Sequence, residues 1–180
     1  MPANSHSNHG EKTLKPTDIS DPEYFHKVVD CQYACPAHTP VPEYIRLIAA
    51  ERYSDAYMVN WKSNVFPGIL GRTCDRPCEP ACRRGRVEED NVEGAAKPEP
   101  VAICRLKRVA ADLKEPVRDR LPAPGKRNGK RIACVGAGPA SLTVARDLAP
   151  LGYAVTVFDG EAKAGGFMRS QIPRFRLPES

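Results

Sequence analysis

No run of apolar residues in this chain approaches the ~18 that a helix needs to cross a bilayer, so no membrane insertion is expected. The opening stretch MPANSHSNHGEKTLK lacks the apolar core of a secretory signal. Aromatic residues are scarce at 7%, with a single Trp, and none is interleaved with the basic runs at 83–86, 105–108 and 126–131. A nucleic-acid surface usually combines the two, so no nucleic-acid partner is expected. The formal charge of +5 reads as a solvated face, or as a docking surface for an acidic redox partner. Without an export route a cytoplasmic setting is expected, and the seven cysteines then read as reduced thiols rather than as a disulfide framework.

What the chain has is clustered cysteine. In GRTCDRPCEPACRRG (71–85), Cys74, Cys78 and Cys82 stand at intervals of four, with Pro77 and Pro80 between them. Cys31 and Cys35 repeat the interval upstream, and Pro36 follows directly. Each proline would remove a backbone donor and clash with the preceding helical turn. The thiols therefore sit on a turning loop that can aim several sulfurs at one point. A C-x3-C-P ending also closes bacterial ferredoxin runs, so an iron–sulfur site is expected. Four thiolates also suit structural zinc, although zinc sites more often use C-x2-C pairs, which this sequence lacks.

Taken in order, residues 1–17 read as a disordered polar tail, with His6 and His9 solvated. Asp21-Pro22-Glu23 looks like a helix start, and the apolar positions Tyr24, Phe25, Val28 and Val29 follow on one face before Cys31 and Cys35. Thr39-Pro40-Val41-Pro42 opens a helix over 42–51 with Tyr44, Ile45 and Ile48 inside. Ser54 is expected to cap a third helix whose Tyr57, Met58 and Trp61 face the core. After an acidic, irregular Arg86–Lys97, the stretch Pro98–Leu113 reads as a helix burying Val101, Ile103, Leu106, Val109, Ala110 and Leu113 and carrying Cys104. Residues 114–130 hold three prolines and two glycines and read as a linker. The periodicity then changes to a short buried strand at 131–135, a turn and helix over Gly136–Leu151, and a second strand at 153–158. Cys134 reads as a small buried hydrophobe. The expected fold class is α + α/β: an all-helical domain over 18–113, then the first βαβ unit of a Rossmann-like domain over 131–180.

Gly136-Ala137-Gly138-Pro139-Ala140-Ser141 lies between that strand and that helix, where a dinucleotide fold needs it. Gly136 permits the tight turn, and Gly138 lets the backbone approach a pyrophosphate whose charge the helix N-terminus holds. Asp159, at the end of the second strand, stands where a ribose-binding carboxylate is expected.

Six motifs in one order carry a family resemblance: C-x3-C-P-x-H (31–38), G-R-x-C-x3-C-x3-C (71–82), P-V-A-I-x-x-L-x-R (100–108), G-A-G-P-A (136–140), V-T-V-F-D (155–159) and G-G-x-x-R-x-x-I-P (165–173). They resemble the start of the glutamate synthase small (β) subunit, the N-terminal part of dihydropyrimidine dehydrogenase, and related NAD(P)H-dependent flavoprotein oxidoreductases. The resemblance implies a helical iron–sulfur domain followed by an FAD-binding domain. Electrons would run from NADPH through FAD to the cluster and on to a larger catalytic or electron-accepting subunit. It places flavin binding at Gly136, Gly138, Pro139, Ala140, Ser141 and Asp159, with Gly165 and Gly166 lining the approach. No catalytic side chain is expected, because hydride chemistry belongs to the cofactors. His38 is expected to be structural.

The sequence departs from that pattern. Relatives with two [4Fe–4S] clusters carry a C-x2-C pair upstream of the position of Cys31, and residues 20–30 hold no cysteine here. The family's fourth, non-cysteine ligand falls on Lys107, which cannot ligate while protonated. Cys104 lies three residues earlier on the same helical face. The resemblance implies that Cys31 and Cys82 serve the cluster that needs the missing pair and that Cys35, Cys74 and Cys78 serve the other. One [4Fe–4S] cluster held by Cys35, Cys74, Cys78 and Cys104 is therefore expected, with Cys31 and Cys82 as spare thiols or substitute ligands. Ser141 and Gln171 stand where relatives usually have Gly. The flavin site is expected to be incomplete, and NAD(P)H to bind only through a domain with no counterpart in these residues. Three alternatives stay open: a scaffold without clusters, a non-enzymatic electron-transfer or interaction subunit with a vestigial FAD site, and a structural zinc module.

Overall fold

The computed structural model describes residues 29–85 and 99–178. The expected tail, the helix expected from Asp21, and Arg86–Lys97 lie outside them. Within them the order is α1 (Asp30–Tyr33), α2 (Val41–Ala49), α3 (Tyr53–Ser63), α4 (Pro67–Thr73), α5 (Ile103–Leu113), β1 (Arg131–Val135), α6 (Pro139–Leu148), β2 (Ala154–Phe158) and α7 (Phe167–Ser170). Helices thus give way to a βαβ unit, in the order expected from the sequence.

The helical core forms where the apolar faces of α2, α3 and α5 meet. Pro42 sits in the first turn of α2, where its missing N–H costs nothing, and Val41 and Tyr44 point inward from the same side. The Tyr44 hydroxyl donates to the Ile103 carbonyl at 3.1 Å, so a fully buried phenol keeps a partner. On α5 the buried positions are Ile103, Cys104, Lys107 and Ala110, one face at helical spacing. Complete burial of Ile103 alone contributes about 1.5–3 kcal/mol. Leu113, expected inside, is exposed, because it ends the helix beyond the elements that cover the inner face.

Two local expectations change. Ser54 does not cap α3; the helix starts after Arg52, and the Ser54 hydroxyl instead accepts from the Glu115 N–H at 3.0 Å. The fully buried residues of α3 are Ala56 and Asn60, while Tyr57, Met58 and Trp61 are half-buried. Tyr57 and Trp61 give their ring faces to cations, with Lys114 at 5.2 Å and Arg146 at 4.5 Å. Arg146 belongs to α6, and its guanidinium also donates to the Trp61 carbonyl, which ties the βαβ unit to the helical core.

Helix α4 was not evident from the sequence. It crosses α5 so closely that a Cβ at Gly71 would stand 2.8 Å from the Arg108 backbone nitrogen. The Arg72 guanidinium reinforces the crossing by gripping Asp112 of α5 at 2.8 Å.

β1 and β2 pair in parallel, from Arg131 opposite Ala154 to Val135 opposite Phe158. β1 was expected to be buried, yet only Cys134 is, and Val135 is 90% exposed. A parallel strand is covered when it has neighbours on both sides and helices on both faces. Among the described residues β1 has one neighbour. Residues 114–130 run back along this unit, where the Gly125 and Asn128 N–H groups donate to the carbonyls of Ala149 and Gly152 at 3.0 and 3.1 Å.

The α4–α5 crossing makes a direct prediction. Gly71→Ala must push two backbones apart and should destabilise the chain by about 1–3 kcal/mol, measured as a lowered urea midpoint. An unchanged midpoint would mean that the helices are not in backbone contact.

Candidate metal centre and dinucleotide loop

Four structural segments each bring one thiol to a common region. Cys35 follows α1, and the chain turns sharply after it: His38 takes φ +46°, and its N–H donates to the Cys35 carbonyl at 2.8 Å. Cys74 closes α4, with its own N–H bonded to the Leu70 carbonyl at 3.0 Å. Cys78 lies on the turns that follow, where Glu79 donates to Arg76 and Cys82 donates to Glu79, each at 3.0 Å. These successive turns are what Pro77 and Pro80 impose in place of a helix. Cys104 sits in the first turn of α5 and donates its backbone N–H to Glu79 Oε1 at 3.0 Å.

The thiols sense one another. Cys104 shares hydrogen bonds with both Cys78 and Cys74. Cys35 lies close enough to Cys78 for their charges to interact, and all four thiols feel the Lys107 ammonium. The Cys104 hydrogen bond holds Cys78 below the usual thiol range against the opposing effect of burial, and Lys107 adds to the lowering. That same bond, together with burial, pushes Cys104 far up. Burial would raise Cys35, but the Thr39 hydroxyl and nearby backbone N–H groups outweigh it and hold the thiol low. Burial raises Cys74, although the Arg76 N–H reaches its sulfur at 3.3 Å and acts in the opposite sense.

This donor set suits a cubane. A [4Fe–4S] cluster takes four thiolates, each on a different iron, and therefore needs sulfurs spaced around a cage. Among the described residues no three His, Cys, Asp or Glu side chains are grouped tightly enough to hold a metal ion as they stand. Cys31 packs against the same core as Cys74, Cys78 and Cys104, and it also feels Cys82. Burial raises Cys31, and the neighbouring Cys82 raises it further. The adjoining Asp30 and Arg83 form an ion pair at 2.9 Å that holds these two segments together.

Apart from Lys107, whose position the family's ligand pattern marks, the supporting residues carried no sequence signal. Asn64 Nδ2 donates to the buried Thr39 hydroxyl at 3.1 Å, and Thr39 in turn lies 3.5 Å from the Cys35 sulfur. Thr39-Pro40 had read only as a helix opening. Glu79, which anchors Cys104, looked like one charge among several in a loop. Lys107 is 5% exposed, a position that the helical period alone would have assigned to an apolar residue.

The dinucleotide loop is equally well defined. Gly136 follows β1 at φ +89°, in the left-handed region that favours glycine, and its N–H donates to the Phe158 carbonyl at 2.7 Å. Gly138 is the N-cap of α6, Pro139 occupies the first turn, and no side chain caps the helix. Ala140 is exposed and Ser141 half-buried in that first turn. Asp159 braces the loop: one carboxylate oxygen accepts from the Ala137 N–H and the other from Glu161 N–H at 2.7 Å. These bonds hold its pKa below the usual range. Gly165 donates to the Ala137 carbonyl at 2.8 Å, and a Cβ at Gly166 (φ +51°) would stand 3.0 Å from the Gly138 Cα. The Gly165-Gly166 turn thus packs directly on the loop. Between α4 and this unit lies an apolar cavity of about 330 Å³ lined by Phe66, Ile69, Leu70, Pro139, Met168 and Ile172, among others.

Comparison with known proteins agrees with this division. Residues 25–118 match the family described as dihydropyrimidine dehydrogenase domain II, 4Fe-4S cluster, and residues 134–177 match NAD(P)-binding Rossmann-like domains. The chain is 37% identical over 171 residues to the NADP(+)-dependent formate dehydrogenase subunit beta of Moorella thermoacetica, covering 82% of this chain and 23% of that protein. It is 34% identical over 150 residues to the NAD-dependent dihydropyrimidine dehydrogenase subunit PreT of Salmonella typhimurium, covering 83% and 34% respectively. It is 34% identical over 171 residues to the NADPH-Fe(3+) oxidoreductase subunit beta of Geobacter sulfurreducens, covering 90% and 24%. The chain therefore spans at most about a third of these relatives. No helix among the described residues is long and apolar enough to cross a membrane. With its helical cysteine domain followed by a Rossmann-like βαβ unit, the chain belongs to the dihydropyrimidine dehydrogenase domain II family of 4Fe-4S oxidoreductase proteins.

Proposed function

We propose that this chain is the cluster-bearing and nucleotide-binding portion of an NAD(P)H-dependent oxidoreductase, resembling the glutamate synthase small subunit, and that it carries electrons between FAD and one [4Fe–4S] cluster. The electrons would leave to a larger partner subunit. The observation that supports this reading is that Cys35, Cys74, Cys78 and Cys104, from four segments, all lie within electrostatic reach of one buried lysine. These four thiols would hold the cluster, which would supply one-electron chemistry when bound. Cys31 and Cys82 would stay free. The side chains contribute ligation, burial and hydrogen bonds to sulfur, among them the Arg76 N–H on Cys74.

The glycine loop supports a dinucleotide on a separate argument. Gly138 has φ −77° and ψ −179°, which any residue adopts, and a Cβ there would meet nothing within 4 Å. Glycine suits an N-cap, but no contact within the described chain excludes a side chain there. A pyrophosphate drawn against the open α6 N-terminus would exclude one. FAD is the dinucleotide favoured, because it would link two-electron hydride transfer to a one-electron cluster. The apolar cavity beside the loop borders α4, the helix that ends at Cys74, and would suit an apolar ring near the cluster.

Two measurements test this. Anaerobically reconstituted protein should contain iron and acid-labile sulfide at four each per chain, with broad visible absorption. Cys104→Ala should lose most of that iron, and Cys31→Ala and Cys82→Ala should keep it. Stoichiometric zinc without sulfide would overturn the assignment. Gly138→Ala should leave the ligand-free unfolding midpoint within about 1 kcal/mol of the parent while weakening FAD binding at least about tenfold. Equal FAD affinity in the two proteins would remove the loop from the cofactor site.

A further inference from the structure

Lys107 occupies a place that burial alone disfavours. It lies one turn after Cys104 on the inner face of α5 and is 5% exposed. An ammonium withdrawn from water normally pairs with a carboxylate or loses its proton. Among the described residues no carboxylate lies within ion-pair distance of it, and none of its hydrogen-bonding capacity is taken up by another side chain. Four thiols lie within its electrostatic reach: Cys35 beyond α1, Cys74 at the end of α4, Cys78 on the turning loop and Cys104 on its own helix. Two other charged groups lie at this corner. Glu79 Oε1 holds the Cys104 N–H, and Arg76 stands 3.9 Å from the Glu79 carboxylate and offsets its charge. From α2, the Tyr44 hydroxyl is engaged with the Ile103 carbonyl. A buried cation with no carboxylate paired to it and four thiols within electrostatic reach gains a countercharge when those sulfurs are ionised.

We propose that Lys107 is the built-in counter-ion of the iron–sulfur cluster, a fixed positive charge that favours the reduced cluster and raises its midpoint potential. This rests on the cluster assignment above. A cubane with four thiolates is a dianion when oxidised; one electron from an external reductant makes it a trianion, with no bond broken and no proton moved. The attraction of an adjacent ammonium grows with that added charge, and burial of the side chain reduces its screening. Cluster potentials respond to net local charge and to hydrogen bonds on sulfur, so a residue in this position sets the potential without touching iron. The pairing of Lys107 with Cys104 also has a reason: Cys104 completes an all-thiolate ligand set, the more negative arrangement, and Lys107 compensates for it.

The test is a dithionite titration of the reconstituted 180-residue chain, followed by electron paramagnetic resonance, for the parent and for Lys107→Met, Lys107→Gln and Lys107→Arg. Both neutral variants should keep their iron and sulfide and titrate at a more negative potential, while Lys107→Arg stays with the parent. Coincident potentials in all four proteins would overturn the counter-ion role and leave the cluster assignment intact. A parent that assembles no cluster would instead overturn that assignment. Should the neutral variants fail to load while Lys107→Arg loads normally, the charge requirement stands in a stronger form. Loss of the cluster in Lys107→Arg as well would show that shape, not charge, governs the position.

Discussion

The contact between α4 and α5 sets the geometry on which the rest depends. Gly71 and Arg108 meet backbone to backbone, and that approach fixes where both helices begin and end relative to each other. One helix delivers Cys74 at its C-terminus and the other presents Cys104 in its first turn. The proline-broken loop then has only to fold back far enough to bring Cys78 into line, and Glu79 secures it to the start of α5. A cluster held by the four segments, as proposed, would cost less further ordering because two of them are already placed by helix packing.

The second organising feature is a polar chain that runs through the core to the sulfurs. Asn64, Thr39 and Cys35 form one hydrogen-bonded line, and each of its members is at least half-buried. Polar groups placed there are tolerated because they satisfy one another, and they fix the direction in which the Cys35 sulfur points. Asn60 and Asn64 each keep a buried carbonyl oxygen without a protein partner, which a bound water would satisfy.

Much of this was readable in the sequence, for identifiable reasons. The change from helical to strand-like spacing near residue 131 separates the helical part from the βαβ unit, and proline spacing ruled out a helix through the cysteine loop. The glycine loop announced itself because Gly136 needs a positive φ. What escaped was whatever depends on partners distant in the chain. Helix α4 is short and begins at a proline, and its key residue, Gly71, matters only through Arg108. Ser54 looked like a cap because it precedes apolar residues, yet its hydroxyl meets Glu115, sixty-one positions away. Lys107 would be assigned to the surface by residue type, and its burial depends on segments distant in the chain.

The two-stranded sheet has a different consequence. Both strands keep an unpaired edge among the described residues, and Val135 and Phe158, paired at the end of the ladder, leave most of their surface in water. Open β edges next to bare aromatic and aliphatic groups are templates for unwanted strand addition. Handled as a 180-residue chain, the molecule should be prone to self-association through its nucleotide-binding half rather than through its cysteine domain. Solubility would then report on how well that sheet is covered.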